Sequence, residues 1–353
     1  NVDDSSVRFS GEADGVNVLK ESIQEQFTAS DLTLDIDQLQ VSPGLINRIG
    51  LDLPNLKTYL TGSLSGSGTL DQFTIEPSEL ILGESYGRIS GSLNDILSPD
   101  VFNYLIRLEA LVIGAKELEE IQEVFNEDQV SGISSNIYRA SLDGNNHHAN
   151  LTFSLEGGRG SANIEGELDW QNDLAFDLSF ETDSLDLGYL INSRIQSTEL
   201  SLKGDIASTS LDVMQAEGGL VIESGRGQFD GRNFNQLSML VNWEQGVIIP
   251  ELMADIYGSA ISLNGEIDLN HELPEIYLYG NSDNLQLDRI IKKDRFKPVV
   301  ADLEYELNLR GNNLNDIHGQ GSFDILEAVA GEDTLSRHQL YFDLNDPGNI
   351  NRS

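Results

Sequence analysis

Apolar and polar residues alternate one by one through most of this chain, and this period of two constrains its fold more than any other feature. Near the start, Leu32, Leu34 and Ile36 alternate with polar residues, and the same spacing still recurs at 340–344. Successive side chains of a β-strand point to opposite faces of a sheet, so the period predicts strands with one apolar and one polar face. The chain is therefore predicted to be predominantly β.

Clusters of glycine, asparagine and aspartate interrupt the alternation and predict the connections between strands. Examples are DGNN at 143–146, EGGRG at 156–160 and RGNN at 310–313. Glycine adopts left-handed backbone conformations, and short polar side chains bond their own backbone, so these clusters are typical of turns. Apolar residues at helical spacing occur only in Leu19–Phe27 and Leu118–Phe125, which predicts one or two short helices.

Two segments about a hundred residues apart have similar sequences. Segment 160–192 reads GSANIEGELDWQNDLAFDLSFETDSLDLGYLIN, and segment 258–292 reads GSAISLNGEIDLNHELPEIYLYGNSDNLQLDRIIK. Each has a glycine 19 or 20 residues ahead of a leucine-rich anchor, and Gly91 stands 20 residues ahead of a third such anchor at Leu111. Matched internal distances favour a true repeat over chance.

The anchors divide the chain into modules of several strands with variable insertions. A fourth anchor, 39–47, stands first, and successive anchors are 72, 74 and 100 residues apart. Since no linker or composition break interrupts the chain, residues 1–353 are predicted to form one extended, repeat-built segment. Its approximate units are 31–100, 101–174, 175–274 and 275–353.

Repeated strands with one apolar face must either close on themselves or leave a trough open. Closed solenoids usually have short, regular coils, which units of about 70 to 100 residues do not match. The predicted fold class is therefore all-β: an elongated β-taco, or repeating β-groove, with a hydrophobic concave interior. The residues predicted to line this groove are Leu34, Ile36, Leu151, Phe153, Leu155, Phe176, Leu178, Phe180, Met239, Val241, Ile261, Leu263, Ile267, Leu269, Leu303, Tyr305, Leu307, Leu309, Leu340 and Phe342.

Charge and composition exclude several classes of function. The formal net charge is −38, with the acidic residues spread along the chain, and such a surface repels nucleic acid and anionic bilayers. The absence of cysteine excludes disulfides and thiolate metal sites. No apolar run reaches the length of a membrane span, and the first residues do not resemble a signal peptide. We therefore expect an excised segment of a longer protein.

No catalytic or cofactor motif stands out. The five histidines lack a metal-binding spacing, and His147-His148 is predicted to lie in a solvated loop. The glycine pairs at 66–68, 225–227 and 319–321 lack the third glycine and following helix of a dinucleotide site, so they are predicted to be bulges or tight bends between strands. The chain is predicted not to be an enzyme and to hold no cofactor or metal.

Two further segments share one pattern of short strand-like runs and glycines: 64–96 (LSGSGTLDQFTIEPSELILGESYGRISGSLNDI) and 296–325 (FKPVVADLEYELNLRGNNLNDIHGQGSFDI). In this pattern the sequence resembles, over nearly its whole length, the TamB and AsmA-like proteins of Gram-negative envelopes. The anchors SLDLGYLIN at 184–192 and NLQLDRIIK at 284–292 are similar to family segments that end in a leucine-rich turn. No invariant catalytic signature belongs to this pattern.

The resemblance implies a middle piece of a periplasmic bridge that is anchored to the inner membrane in the full-length protein. Members of this family are thought to pass phospholipid to the outer membrane and to support assembly of outer-membrane proteins. The implied partners are phospholipid acyl chains within the groove, an outer-membrane insertase barrel (TamA-like) contacted by other parts of the chain, and the inner membrane through an N-terminal anchor absent here.

Two other classes remain open. The first is a structural or adhesive surface rod whose acidic segments, such as LDID at 34–37 and DLNDPGN at 343–349, would bind calcium, although neither matches an EF-hand loop. The second is a β-helical polysaccharide enzyme, for which the abundant carboxylates carry no specific signal. Both an open groove and a closed rod use apolar alternation, but alternation that never relaxes favours the open groove over the rod. No positive sign supports the enzyme.

Overall fold

Within the described part of the chain the protein consists of β-strands with almost no helix, which confirms the all-β fold class. The computed structural model describes residues 5–14, 30–44, 57–117, 136–171, 173–186, 198–229, 232–286, 299–311 and 317–344. Both predicted helices, Leu19–Phe27 and Leu118–Phe125, lie outside these residues, although 115–117, directly before the second, are helical. The strands group into two compact units, Asn1–Asn172 with Leu185–Ile195 and Asp173–Ser184 with Gln196–Ser353. The proposed four-unit repeat division stays a prediction.

The described residues of the first unit form nine strands, each paired antiparallel with the next along the chain. They are β1 (Ser6–Asp14), β2 (Asp31–Val41), β3 (Leu60–Gly68), β4 (Gln72–Leu82), β5 (Ser85–Asn94), β6 (Asn103–Val112), β7 (Asn136–Asn145), β8 (His148–Gly157) and β9 (Gly160–Asp169). The predicted turn at 156–160 includes the connection from β8 to β9, whereas 143–145 of the other predicted turn belong to β7 and only Asn146 lies in the connection to β8.

In the second unit the residues that the structure describes form ten strands with the same sequential antiparallel pairing. They are β10 (Ala175–Asp183), β11 (Glu199–Ser208), β12 (Glu217–Phe229), β13 (Arg232–Glu244), β14 (Val247–Ile256), β15 (Ser259–Asp268), β16 (Glu275–Gln286), β17 (Val299–Arg310), β18 (His318–Ala330) and β19 (Asp333–Asp343). The predicted turn at 310–313 begins where β17 ends, and 312–313 lie outside the described residues.

The pairing registers join apolar residues of successive strands into rows that cross each unit. In the first unit one row is Gly11, Leu34, Gly66, Ile75, Gly91, Ile106, Leu142, Leu151 and Gly166. In the second unit one row is Phe180, Gly204, Ile222, Met239, Leu252, Leu263, Gly280, Tyr305, Phe323 and Leu340. Register partners share one face of a sheet, and neither row contains a charged residue. We call the face that carries these rows the apolar face of each unit.

Polar residues form matching rows on the opposite side, the polar face. In the second unit one such row is Glu251, Asn264, Tyr279, Glu306, Ser322 and Tyr341. Cross-strand ion pairs of this chain include Arg139 to Glu156 at 2.9 Å and Lys203 to Glu223 at 3.7 Å, with largely exposed side chains. Because water screens such pairs, each contributes little to stability. The negative charge is therefore mainly a property of a hydrated surface.

Glycines on the apolar face allow neighbouring strands to approach unusually closely. At Gly91 and Gly204, an added Cβ would lie closer than 3.0 Å to the carbonyl oxygen of Leu105 or Val221. In both cases this oxygen belongs to the residue that precedes the register partner. The same relation holds for Gly62, Gly66, Gly144, Gly218, Gly227, Gly265, Gly280, Gly319 and Gly321. Glycine within a strand marks a bend or a close backbone approach, so these residues shape the sheet itself.

The three closely spaced glycine pairs lie within strands, so the prediction that they bend the chain between strands is wrong. The register of β12 shifts on either side of Gly225, which is the predicted bulge. In contrast, Gly319 and Gly321 pair in unbroken register with Leu309 and Leu307. Because these two glycines have no side chain, β18 can approach β17 closely.

Candidate functional site: the apolar face

The registers place the predicted lining residues of the first unit on its apolar face. Leu34 on β2 and Leu151 on β8 belong to one row, although more than a hundred residues separate them. Phe153 and Leu155 follow Leu151 at alternate positions of the same strand. Ile36 stands opposite Phe9 on β1 and Leu64 on β3.

In the second unit the registers join almost all the predicted residues into parallel rows. Phe180, Met239, Leu263, Tyr305 and Leu340 share the row given above. The remaining strand residues occupy alternate positions beside these five: Phe176, Leu178, Val241, Ile261, Ile267, Leu303, Leu307, Leu309 and Phe342. Leu269 lies just beyond the end of β15, where its amide bonds the carbonyl of Gly246 at 2.8 Å.

Most side chains of the apolar face are only half-buried. Leu155 is 7% exposed and packs with Ala162 and Leu185, against which Tyr138 and Phe153 also lie. Among the described residues this is the cluster of buried apolar side chains that forms a core. Leu340 on β19 is 55% exposed, and the other predicted residues lie between these extremes. The face therefore presents a large apolar area that the described residues leave partly open to solvent.

Several residues of the apolar face were missed by the sequence analysis. The missed members with apolar side chains include Ile75, Ile106, Leu142, Ile206, Leu220, Ile222, Leu252, Leu278 and Phe323. Their alternation with polar neighbours is a signal that could have found them. The glycines of the rows carry no such signal, because their place on a face depends on the register with other strands.

Aromatic rings of the second unit lie over glycines that stand directly opposite them in register. The four ring and glycine pairs are Phe180 with Gly204, Trp243 with Gly218, Tyr305 with Gly280, and Phe342 with Gly321. A ring placed over a glycine covers exposed backbone and fixes the register of the two strands. The flat surfaces of these rings thus cover part of the apolar face.

Tyr305 and Trp243 also satisfy their polar atoms across the glycine. The hydroxyl of Tyr305 donates to the backbone carbonyl of Ser262 on β15 at 2.5 Å, and Nε1 of Trp243 donates to Oγ of Ser208 on β11 at 3.4 Å. Each side chain therefore spans three strands. Buried tyrosine and tryptophan generally need such a partner, and with it they add no unpaired polar group to the apolar face.

The environment of the tyrosines of the apolar face predicts a loss of stability in alkali. Burial raises the pKa of Tyr305 above its ordinary value of 10.0. Burial also raises the pKa of Tyr138, although a hydrogen bond with Asn136 partly opposes this. The folded protein then keeps these protons at a pH where the unfolded chain has lost them. The free energy of unfolding should therefore be fully present below pH 10 and should fall as pH rises through and beyond 10.

Urea unfolding at a series of pH values measures this fall. The variant with Tyr138→Phe and Tyr305→Phe should show a flatter dependence above pH 10. A Tyr341→Phe control, at a tyrosine 73% exposed, should keep the dependence of the unaltered protein. If the free energy of unfolding of the double variant fell as steeply above pH 10, the fall could not be attributed to Tyr138 and Tyr305.

The first leucines of the two repeated anchors belong to different units. Leu185 packs against Leu155 and Ala162, and Leu285 stands opposite Ala301, which is 2% exposed. The structural equivalence of the two segments stays a prediction. Leu187 and Leu287, the second leucines of the two anchors, lie outside the described residues.

The described residues supply little for other kinds of site. In those ranges no group of three or more His, Asp or Glu side chains is arranged to hold a metal ion. Segment 343–349 of the calcium hypothesis lies mostly outside them. A search of the described helical residues finds no helix with the length and apolar character to cross a membrane.

The rows of the apolar face are thus uncharged and consist mainly of leucine, isoleucine, phenylalanine and glycine, so they can bind apolar groups with little directional selectivity. Comparison with known proteins adds nothing to this geometry: no family model, no curated protein and no solved structure matches the chain.

Proposed function

We propose that this chain is a segment of a periplasmic bridge whose apolar face forms a groove that conducts phospholipid from the inner to the outer membrane, supports assembly of outer-membrane proteins, or does both. The observation that carries the proposal is the pair of uncharged rows, one crossing nine strands and the other ten, whose side chains remain largely half-exposed. The sequence pattern that this chain shares with the TamB and AsmA-like proteins supports the same function.

The energetics of an acyl chain favour such a path. Exposing a methylene group to water costs about 0.8 kcal/mol, so a chain can move between membranes only if apolar contact continues along its route. Strands lie about 4.8 Å apart, and one leaflet fills about half of a hydrocarbon core of about 30 Å, so one acyl chain covers about three strands. Rows of nine or ten strands exceed that length severalfold, which allows a chain to advance without leaving the apolar face.

The headgroup would be the less favourable part of the cargo. A formal charge of −38 repels anionic headgroups over the Debye length of about 8 Å at physiological ionic strength. Zwitterionic phospholipids avoid this repulsion, and divalent cations bound between carboxylates and headgroups would reduce it. We therefore infer a preference for zwitterionic lipid with low selectivity among acyl chains.

The location and partners in this proposal follow from the resemblance. The segment would lie in the periplasm, with the full-length protein anchored to the inner membrane by another part of the chain. Other parts would also meet a TamA-like insertase in the outer membrane. A nascent outer-membrane strand, with one apolar and one polar face, is the second kind of occupant that this surface could hold.

Mass spectrometry of lipid extracted from the purified protein tests the proposal most directly. We expect co-purifying phospholipid, enriched in zwitterionic headgroups relative to the membranes of the expressing cell. A polar β-protein purified in the same detergent-free buffer provides the background. Lipid at the level of that background would contradict lipid conduction and would leave protein assembly as the function to test.

A further inference from the structure

Tyr305 and Gly280 form a ring and glycine pair that a short hydrogen bond ties to a third strand. The ring begins on β17, crosses β16 over Gly280, and reaches β15, where its hydroxyl bonds the carbonyl of Ser262 at 2.5 Å. Gly280 stands between Leu263 and Tyr305 in the row of the apolar face. This hydrogen bond keeps the ring over β16, because a ring that moved away from β16 would leave the Tyr305 hydroxyl without this acceptor.

No other residue can replace Gly280 in this arrangement. A Cβ at this position would lie 2.6 Å from the Tyr305 hydroxyl and would also overlap the carbonyl oxygen of Ser262. The hydroxyl and the carbonyl are the two atoms of the bond that holds the ring. A side chain at 280 would therefore break this bond and lift the ring away from β16.

We propose that Gly280 and Tyr305 together set the depth of the groove across β15, β16 and β17, and so keep open the path on which an acyl chain crosses these strands. The proposal rests on the proposed function. In it, Gly280 is a positioning residue, and the Tyr305 ring provides the floor that the chain contacts. With the ring flat, methylene groups can pass from Leu263 toward Phe323 along the row.

A raised ring would interrupt this path. An aromatic side chain is a large apolar body, so a ring that stands up from the apolar face occupies the space of the methylene groups that would lie over Gly280. Losing the apolar contact of about two methylenes weakens binding about tenfold. The effect should be local, because the rows on β10–β13 lie several strands away.

Photo-crosslinking with a phosphatidylcholine that carries a diazirine on one acyl chain can measure this local effect. After irradiation, mass spectrometry of peptides compares labelling of β15–β17 with labelling of β10–β13 in the same molecule. In the unaltered protein we expect both regions to be labelled. In Gly280→Ala, labelling of β15–β17 should fall about tenfold relative to β10–β13, which serves as an internal measure of folding and of lipid binding.

Removing the ring separates its effect from distortion of the backbone. The double variant Gly280→Ala with Tyr305→Leu keeps the overlap with the Ser262 carbonyl but has no ring to raise. It should therefore label β15–β17 clearly more than Gly280→Ala does, and Tyr305→Leu alone should keep the labelling of the unaltered protein. Unchanged labelling in Gly280→Ala, or a loss that the second substitution does not restore, would overturn the depth-setting role and leave lipid conduction intact. Absence of labelling on the apolar face of the unaltered protein would overturn both proposals.

Discussion

The double variant Leu263→Asp with Leu307→Asp should lose lipid co-purification while the protein remains folded. Leu263 stands between Leu252 and Gly280 in its row, and Leu307 stands between Leu278 and Gly321 in the next. A carboxylate at either position would have to be desolvated beneath an acyl chain, at a cost of roughly several kcal/mol. Without lipid, both side chains are half-buried, so the charges can stay hydrated and the strand pairing persists.

The matched control places charges on the polar face of the same strands. Asn264 pairs with Glu251 and Tyr279, and Glu306 pairs with Tyr279 and Ser322. Asn264→Asp with Glu306→Lys should therefore keep both the fold and the lipid. Circular dichroism checks the fold, and mass spectrometry measures the lipid. Equal loss of lipid from the two variants, or normal lipid in a folded Leu263→Asp, Leu307→Asp protein, would rule out a groove and favour a surface rod.

Gly91→Ala should lower the free energy of unfolding of the first unit by about 2–3 kcal/mol, within the range of overpacked interior sites. Gly91 stands between Ile75 and Ile106 in its row. An added methyl group would overlap the carbonyl oxygen of Leu105 on β6. Because that oxygen is part of the backbone, a rotamer change cannot relieve the overlap, and β5 and β6 must move apart.

Gly158→Ala is the control in the same unit. Gly158 lies in the turn between β8 and β9, and an added Cβ there meets nothing within 4 Å. We expect a change within about 0.5 kcal/mol, as for ordinary surface substitutions. Urea unfolding followed by circular dichroism measures both variants. Similar midpoints for the two proteins would show that close strand approach at Gly91 contributes little to stability.

The sequence by itself determined the strand class and the face on which each side chain lies. A period of two is a local property, because each residue of a strand points opposite to its neighbour whatever the strand pairs with. For this reason Phe176, Leu178 and Phe180 could be assigned to one face before their partners were known. The same alternation puts Asp177, Asn264 and Glu306 on the opposite face, and the registers place them on the polar face.

Only the tertiary structure decided which residues of different strands stand together. Register joins segments that are distant in sequence, and a bulge such as the one at Arg88 and Ile89 changes the partners without changing the local alternation. The role of glycine was misjudged for this reason. Gly319 and Gly321 resemble turn residues in the sequence, but β17 and the Phe342 ring give them their function. Likewise, the bond from Tyr305 to Ser262 crosses three strands, and no local pattern encodes a contact between atoms 43 residues apart.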